Sequence, residues 1–261
     1  MTHRVMAVVS AALAMLLPAC CEEGSGQLVR ESRSVDSFSW VHLDVPGSLR
    51  LFQGPVTALK VRTDDNLIDR VRTRVHGGSL TVDTDDSECD CIDPTELVVE
   101  VSTPDLRGLR MDGSGDIVLP GPVETDELTL AIDGSGSISA AMVRADDVSL
   151  EIDGSGDIDL AVSALALHSR IDGSGHTSIA GEAGEHDISI DGSGDIDAYA
   201  LSTGTTRVDI GGSGGCAVSA ADVLEVTIDG SGDVSYCGQP EVHQSIDGSG
   251  GVRRASAASC N

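Results

Sequence analysis

Residues 152–158 of this 261-residue chain read IDGSGDI, and seven near-identical heptapeptides accompany them. The eight copies begin at Met111, Ile132, Ile152, Ile171, Ile190, Ile210, Ile228 and Ile246. Successive copies start 18 to 21 residues apart. A nearly constant period of this length is the signature of a solenoid, in which each repeat stacks on the one before it.

Apolar and polar residues alternate on both sides of each motif, as at Leu128, Leu130 and Ile132 or at Ile158 and Leu160. A period of two indicates β-strand, and the branched side chains suit strands. Each repeat is therefore predicted to be a strand, a tight Asp-Gly-Ser-Gly turn and a second strand. A short irregular stretch, such as residues 143–147, leads to the next repeat. The glycines suit a sharp corner because they adopt positive φ without a Cβ clash.

The pattern predicts an all-β fold, a single-stranded parallel β-helix with coils of about 20 residues. Each strand pairs with its equivalent one coil on, so eight coils at about 4.8 Å each give a rod roughly 38 Å long. A β-sandwich of eight hairpins is the competing fold. It is less favoured because antiparallel hairpins would not repeat identical turns at one period.

The repeats occupy residues 107–252 of a domain predicted to span 34–252, and residues 253–261 form a tail. Residues 34–106 lack the motif but contain alternating apolar runs, so they are predicted to form the first coils and a strand-rich N-terminal cap. Phe38, Trp40 and Phe52 lie there. Packing in the core of the cap is favoured over an aromatic ligand-binding patch.

The N-terminus has the form of an export signal. Thirteen nearly continuous apolar residues, 5–17, suit a signal peptide and are too few to span a bilayer. Residues 17–20 (LPAC) resemble a bacterial lipobox, which predicts cleavage after residue 19 and lipid attachment at Cys20. Residues 20–33 are polar and are predicted to form a lipidated tether. Cys21 follows Cys20 in place of an aspartate, which favours the outer membrane of a Gram-negative bacterium.

The chain carries 43 Asp and Glu against 16 Lys and Arg, a formal net charge of −27. This charge argues against binding of DNA or RNA and against docking on anionic lipid through a basic patch. Aromatic residues make up only 2% of the chain, which removes most stacking platforms for bases or sugars. The predicted partners are the membrane, through the lipid, and an envelope or cell-surface ligand.

Stacking of the motifs places aspartates in columns. The first column contains Asp112, Asp133, Asp153, Asp172, Asp191, Asp229 and Asp247. The second contains Asp116, Asp157, Asp195 and Asp233, interrupted by other residues. Two interpretations of the first column stay open. The carboxylates cap amides of their own turns, or they bind Ca²⁺, which takes several oxygen ligands. No other cofactor is predicted.

Six cysteines besides Cys20 suit disulfides in an oxidising compartment. Cys216 and Cys237 lie one repeat apart and are the predicted pair. Cys89 and Cys91 could close on each other or form half a metal site, but no second CxxC or His pair lies nearby to complete one. The histidines at positions 168, 176 and 186 fall at different places in the repeat and predict no metal site.

Several segments resemble a known family of bacterial envelope proteins, the auto-transporter adhesin, head GIN domain family. The matching segments are residues 38–43 (FSWVHL), 51–54 (LFQG), 65–68 (DNLI), 77–82 (GGSLTV) and 104–106 (PDL), which leads into the first Gly-Ser-Gly-Asp. The resemblance covers roughly residues 35–252. It implies a β-helix and an adhesin-like role, and it supplies no catalytic residues.

These observations together predict a lipid-anchored envelope protein with a non-catalytic surface module. A divalent-cation-binding rod is the first alternative. A polysaccharide-degrading enzyme is the second, and it rests on analogy with other β-helices alone. Seven equivalent aspartates indicate repeated turn chemistry rather than a single pair of catalytic carboxylates.

Overall fold

The structure, a computed structural model, describes residues 21–85, 91–256 and 258–260. The repeats form eleven parallel-paired strands, β10 (Gly108–Gly113), β11 (Asp116–Glu124), β12 (Glu127–Gly134), β13 (Ser137–Gly154), β14 (Asp157–Gly173), β15 (His176–Gly192), β16 (Asp195–Gly212), β17 (Gly215–Gly230), β18 (Asp233–Gly238), β19 (Glu241–Gly248) and β20 (Gly251–Arg254). Each pairs with its equivalent one coil on, so the predicted parallel β-helix is confirmed.

Each coil is more continuous than predicted. From β13 to β17, one strand runs from just after a Gly-Ser-Gly corner to the first glycine of the next. Residues 143–147, predicted to be irregular, lie inside β13 and pair with β14 after a register shift between Ala140 and Val143. The backbone there pairs with the next coil in spite of its polar sequence, because unpaired amides and carbonyls would cost stability.

The corners explain why the motif needs two glycines. Gly173 has φ of +134°, and a Cβ built there would lie 2.3 Å from the carbonyl oxygen of Gly154 in the preceding coil. At the second glycine, Gly175, a Cβ would lie 2.6 Å from the side chain of Ile152. The same contacts recur up the stack, so neighbouring corners touch closely enough to exclude any side chain.

The core is a set of apolar columns inside the coils. Met111, Ile132, Ile152, Ile171, Ile190, Ile210 and Ile228 stack in register and are buried. Ile246 continues this column in β19 but is 37% exposed. Since neighbouring coils are in contact over their whole length, each adds its own slice of buried apolar surface.

The predicted N-terminal cap is also present. It contains β3 (Trp40–Leu43), β4 (Ser48–Gln53), β5 (Ala58–Asp64), β6 (Val71–His76), β7 (Ser79–Thr84) and β9 (Val98–Thr103). Strands β3, β4, β7 and β9 extend the parallel stacks, whereas β5 and β6 add antiparallel to β9 and β7. The reversal of strand direction ends the solenoid.

Only one of the three cap aromatics packs in the core. Phe38 is buried, but Trp40 is 40% exposed and Phe52 is 44% exposed. Trp40 lies on the outer face against Gly108, where a Cβ would lie 2.2 Å from the indole ring. The prediction that all three fill the core was therefore wrong for Trp40 and Phe52, because both occupy outward positions of the strand alternation.

The predicted tether over 20–33 is folded onto the cap along its described part. Strand β1 (Cys21–Glu23) pairs with β8 (Cys91–Asp93), and a disulfide joins Cys21 to Cys91. Strand β2 (Leu28–Arg33) pairs antiparallel with β5. The polar composition predicted a linker, but an edge strand also carries polar residues on its outer side. No helix long and apolar enough to cross a membrane occurs in the described ranges.

Candidate functional site

The first aspartate column is confirmed as a structural register. It runs from Asp112 through Asp133, Asp153, Asp172 and Asp191, is interrupted at Gly211, and continues at Asp229 and Asp247. All of these side chains except Asp112 are exposed. In the second column, aspartate alternates with an uncharged or imidazole residue from one coil to the next, so like charges there lie two coils apart.

The corner amides do not use the first-column carboxylates. From Ser135 onward, the amide of each corner serine donates instead to the first glycine carbonyl of the coil before it, as from Ser174 to Gly154 at 2.8 Å. In the described part of the chain, no first-column aspartate accepts a bond from a corner amide. The amide-capping interpretation was therefore wrong, because backbone pairing between coils satisfies these donors first.

Among the described residues, the closest hydrogen-bonded contacts to the column come from His42 and Arg110, at its cap end. His42 Nε2 lies 2.6 Å from Asp112, and Arg110 contacts Asp112 at 3.0 Å and Asp133 at 3.1 Å. Farther along, Arg170 lies 3.6 Å from Asp172. Across residues 21–85, 91–256 and 258–260, no three His, Cys, Asp or Glu side chains converge on a common point that could hold a metal. Calcium binding by the column stays a prediction.

A groove of about 540 Å³ lies on the outer face of the repeats. Two or three residues from each of five successive coils line it, namely residues 149–151, 168–170, 187–189, 207–209, and 225 with 227. Coils about 4.8 Å apart make it about 19 Å long, parallel to the rod. Its volume falls within the range of about 300–1,000 Å³ common for ligand sites.

Arg207, in the fourth of the five coils that line the groove, forms its largest ion-pair network. Its guanidinium contacts Glu185 at 3.0 Å, Asp187 at 3.1 Å and Glu225 at 3.2 Å. Hydrogen bonds to Glu185 and Asp187 raise the pKa of Arg207 above its usual value. His168 lies 3.5 Å from both Asp147 and Asp187. Glu151 and Asp209 also line the groove, and neither has a hydrogen bond or ion pair within the described residues, so they are available to a ligand.

A polar pair that the sequence did not predict lies inside the core, beneath the groove. Ser169 Oγ lies 2.9 Å from Nε2 of His186, and both side chains are buried. His186 Nδ1 has no hydrogen-bond partner. Burial lowers the pKa of His186 to about 3, so the imidazole is neutral near pH 7. Aligning the repeats on the core column Leu167, His186, Thr206 would have revealed this exception.

The predicted disulfide between Cys216 and Cys237 was wrong. Cys237 pairs with Cys260, and Cys216 is a buried free thiol. Cys216 stacks on Val234, and Cys237 lies opposite Ser219, three residues along the strand. Three residues of strand span about 10 Å, beyond the reach of a disulfide of about 7 Å between Cα atoms. Burial raises the pKa of the Cys216 thiol above its usual range. Cys20 and Cys89 lie outside the described residues.

Comparisons with known proteins agree with this architecture. The model of the family described as putative auto-transporter adhesin, head GIN domain matches residues 37–161 and 142–240. A putative lipid binding protein from Parabacteroides distasonis is 23% identical with a TM-score of 0.86, covering 90% of this chain and 99% of its own. At this identity, the likeness shows the fold alone.

Two further solved structures are similar. A putative adhesin from Parabacteroides merdae is 24% identical with a TM-score of 0.85, and the match covers 90% of this chain and 98% of that one. A putative adhesin from P. distasonis is 26% identical with a TM-score of 0.84, and covers 90% and 100%. No curated protein matches the chain in sequence. Because the family model covers most of the β-helix, the chain belongs to the auto-transporter adhesin, head GIN domain family.

Proposed function

We propose that this protein is a lipid-anchored component of the cell envelope and that its β-helix is a non-catalytic recognition surface. Family membership supports an adhesin-like module at the cell surface or envelope. The sequence LPAC at residues 17–20 supports acylation of Cys20, and Cys21 in place of an aspartate supports location in the outer membrane. Two or more acyl chains anchor a protein stably, whereas a single chain binds reversibly.

The main support for a recognition role is the groove that contains Arg207 and its ion pairs. Its three carboxylate partners are fixed by ion pairs with a permanently charged guanidinium, which suits rigid display rather than proton transfer. Glu151 and Asp209 add acceptors to the groove that have no hydrogen bond or ion pair within the described residues. A preformed polar surface of this kind loses little side-chain freedom when a ligand binds.

Two experiments test the parts of this proposal separately. Metabolic labelling with palmitate should mark the wild-type protein, and Cys20→Ser should abolish the label and release the protein from membranes. Label that persists in Cys20→Ser would contradict the anchor.

The recognition surface is tested by attachment of cells carrying the protein to a solid surface. Glu151→Lys with Asp209→Lys should reduce attachment, because both changes lie in the groove but leave the Arg207 network intact. Asp159→Lys with Asp233→Lys changes the charge equally outside the groove and should have no effect. Equal behaviour of the two variants would contradict a role for the groove.

A further inference from the structure

The net charge of the chain conceals an uneven distribution of its cations. Eight of the 16 Lys and Arg lie between residues 30 and 74, whereas the repeats are overwhelmingly acidic. Four of these eight project from one outer face of the cap, on strands β2, β5 and β4, with β9 lying between β5 and β4. They are Arg30, Arg62, Lys60 and Arg50. The cap therefore carries a basic area that the average charge does not reveal.

The strand register places these four cations together. Arg30 lies directly opposite Arg62, and Lys60 and Arg50 flank Glu100 from either side. Two carboxylates form ion pairs with the four cations. Arg62 contacts Glu96 at 2.9 Å, and Arg30 lies 3.7 Å from Glu100. Like charges directly opposite in a sheet are destabilising. The fold thus keeps an excess of positive charge there at some cost in stability.

Apolar side chains adjoin the cations. Phe52 extends the row beside Ser102 and Ala58, and it lines a shallow hollow together with Lys60 and Glu100. Val56, in the turn between β4 and β5, is 67% exposed. Exposed aromatic and aliphatic groups next to basic ones are typical of surfaces that rest in the headgroup region of a bilayer.

The cap is also where the chain would meet its anchor. Cys21 is locked to Cys91 by a disulfide, and the amide of Gly24 donates to the carbonyl of Asp93 at 2.9 Å. Only five residues along the chain separate Cys91 from Glu96, the partner of Arg62. A lipid on the residue before Cys21 would therefore hold this end of the protein at the membrane.

We propose that Arg30, Arg50, Phe52, Val56, Lys60 and Arg62, here named the cap patch, rest on the anionic surface of the membrane that holds the lipid anchor. This inference rests on the anchoring in the proposed function. The same face farther along the rod carries Asp116, Asp157 and Asp195, which an anionic surface repels. Attraction at the cap and repulsion along the repeats together tilt the rod away from the bilayer.

Vesicle binding by the non-acylated chain from residue 21 onward tests the patch independently of the lipid. We expect the chain to co-sediment with vesicles of phosphatidylglycerol mixed with phosphatidylcholine and not with pure phosphatidylcholine. Replacing Arg30, Lys60 and Arg62 by Gln should lower the partition coefficient at least about tenfold, since each charge near such a surface contributes about 1 kcal/mol. The matched control replaces Arg144, Arg253 and Arg254 by Gln and should bind like the wild type.

A second variant tests the apolar part of the cap patch. Phe52→Ser with Val56→Ser should weaken the binding that survives at high salt, where screening suppresses the charges. Absent binding, equal loss in the two Gln variants, or no preference for phosphatidylglycerol would each overturn the proposal. Palmitate labelling of Cys20 is unaffected by any of these results, so failure of the patch and failure of the anchor are distinguishable.

Discussion

Residues 107–252 and residues 34–106 enclose one continuous hydrophobic core with different chemistry. The repeats are parallel throughout, acidic outside and closed by identical glycine corners. The cap mixes strand directions, carries all the tryptophan and phenylalanine of the chain, and holds six of its 16 Lys and Arg. The repeats are stabilised by repetition of one contact, whereas the cap depends on individual contacts that occur once. Perturbations should therefore act differently in the two regions.

The largest expected effect is the loss of stability on removing a disulfide, and this loss should differ between the two disulfides. Cys21→Ser with Cys91→Ser opens a span of 70 residues, and Cys237→Ser with Cys260→Ser opens one of 23. Loop-closure entropy gives losses of about 4 and about 3 kcal/mol in the free energy of unfolding. Urea titration of both variants measures the difference. A larger loss of unfolding free energy in the variant without Cys237 and Cys260 would show that the cap does not depend on the disulfide between Cys21 and Cys91.

A corner glycine should be nearly as sensitive, and a cap glycine much less so. Gly173→Ala forces a Cβ against the Gly154 carbonyl, and we expect a loss of about 3 kcal/mol. Gly77 also has positive φ, but nothing lies within 4 Å of a Cβ built there. Gly77→Ala should therefore lower the free energy of unfolding by only about 1 kcal/mol, through backbone strain alone. Urea denaturation compares them, and equal losses would mean that corner packing adds nothing to the φ requirement.

The third prediction is a loss of stability at low pH that originates in the repeats, at His186. The pKa of His186 is about 3 when folded against 6.5 for an ordinary histidine, so between these values the unfolded chain binds a proton that the folded chain excludes. Stability therefore falls as pH drops below about 6.5, by about 2 kcal/mol between pH 7 and pH 5. Thermal unfolding at these two pH values measures the loss.

The control for this effect restores the apolar columns. His186→Leu with Ser169→Leu matches Leu167 and Leu150 at the same positions of neighbouring coils, and it should remove this part of the pH dependence. An unchanged slope in the double variant would assign the acid sensitivity to the carboxylates instead.

The smallest effect concerns the first aspartate column. Asp153 and Asp191 have no ion-pair partner among the described residues, so cations should raise the melting temperature by screening alone. Calcium, magnesium and equivalent ionic strength of NaCl should then act alike, with small shifts. A calcium-selective rise of many degrees, reversed by EDTA, would instead show that the column binds this metal.

The motif allowed the register of the repeats to be predicted because each Gly-Ser-Gly fixes a corner, and identical corners can stack in only one alignment. The same regularity misled the disulfide prediction, since Cys216 and Cys237 occupy different positions within their coils. The docking of β2 on β5 was not predictable from composition, because polar residues at 22–33 suit a linker and an edge strand equally. The groove is lined by residues from five coils, so no single repeat encodes it.

The corners have a consequence for how this protein can change over evolutionary time. Because the amide of each corner serine from Ser135 onward bonds to the corner one coil back, removing or duplicating a coil leaves this pattern of corner bonds intact. The height of the rod is then adjustable in increments of about 4.8 Å. The length of the rod would be set by copy number, while the cap, which has no equivalent to duplicate, stays constant.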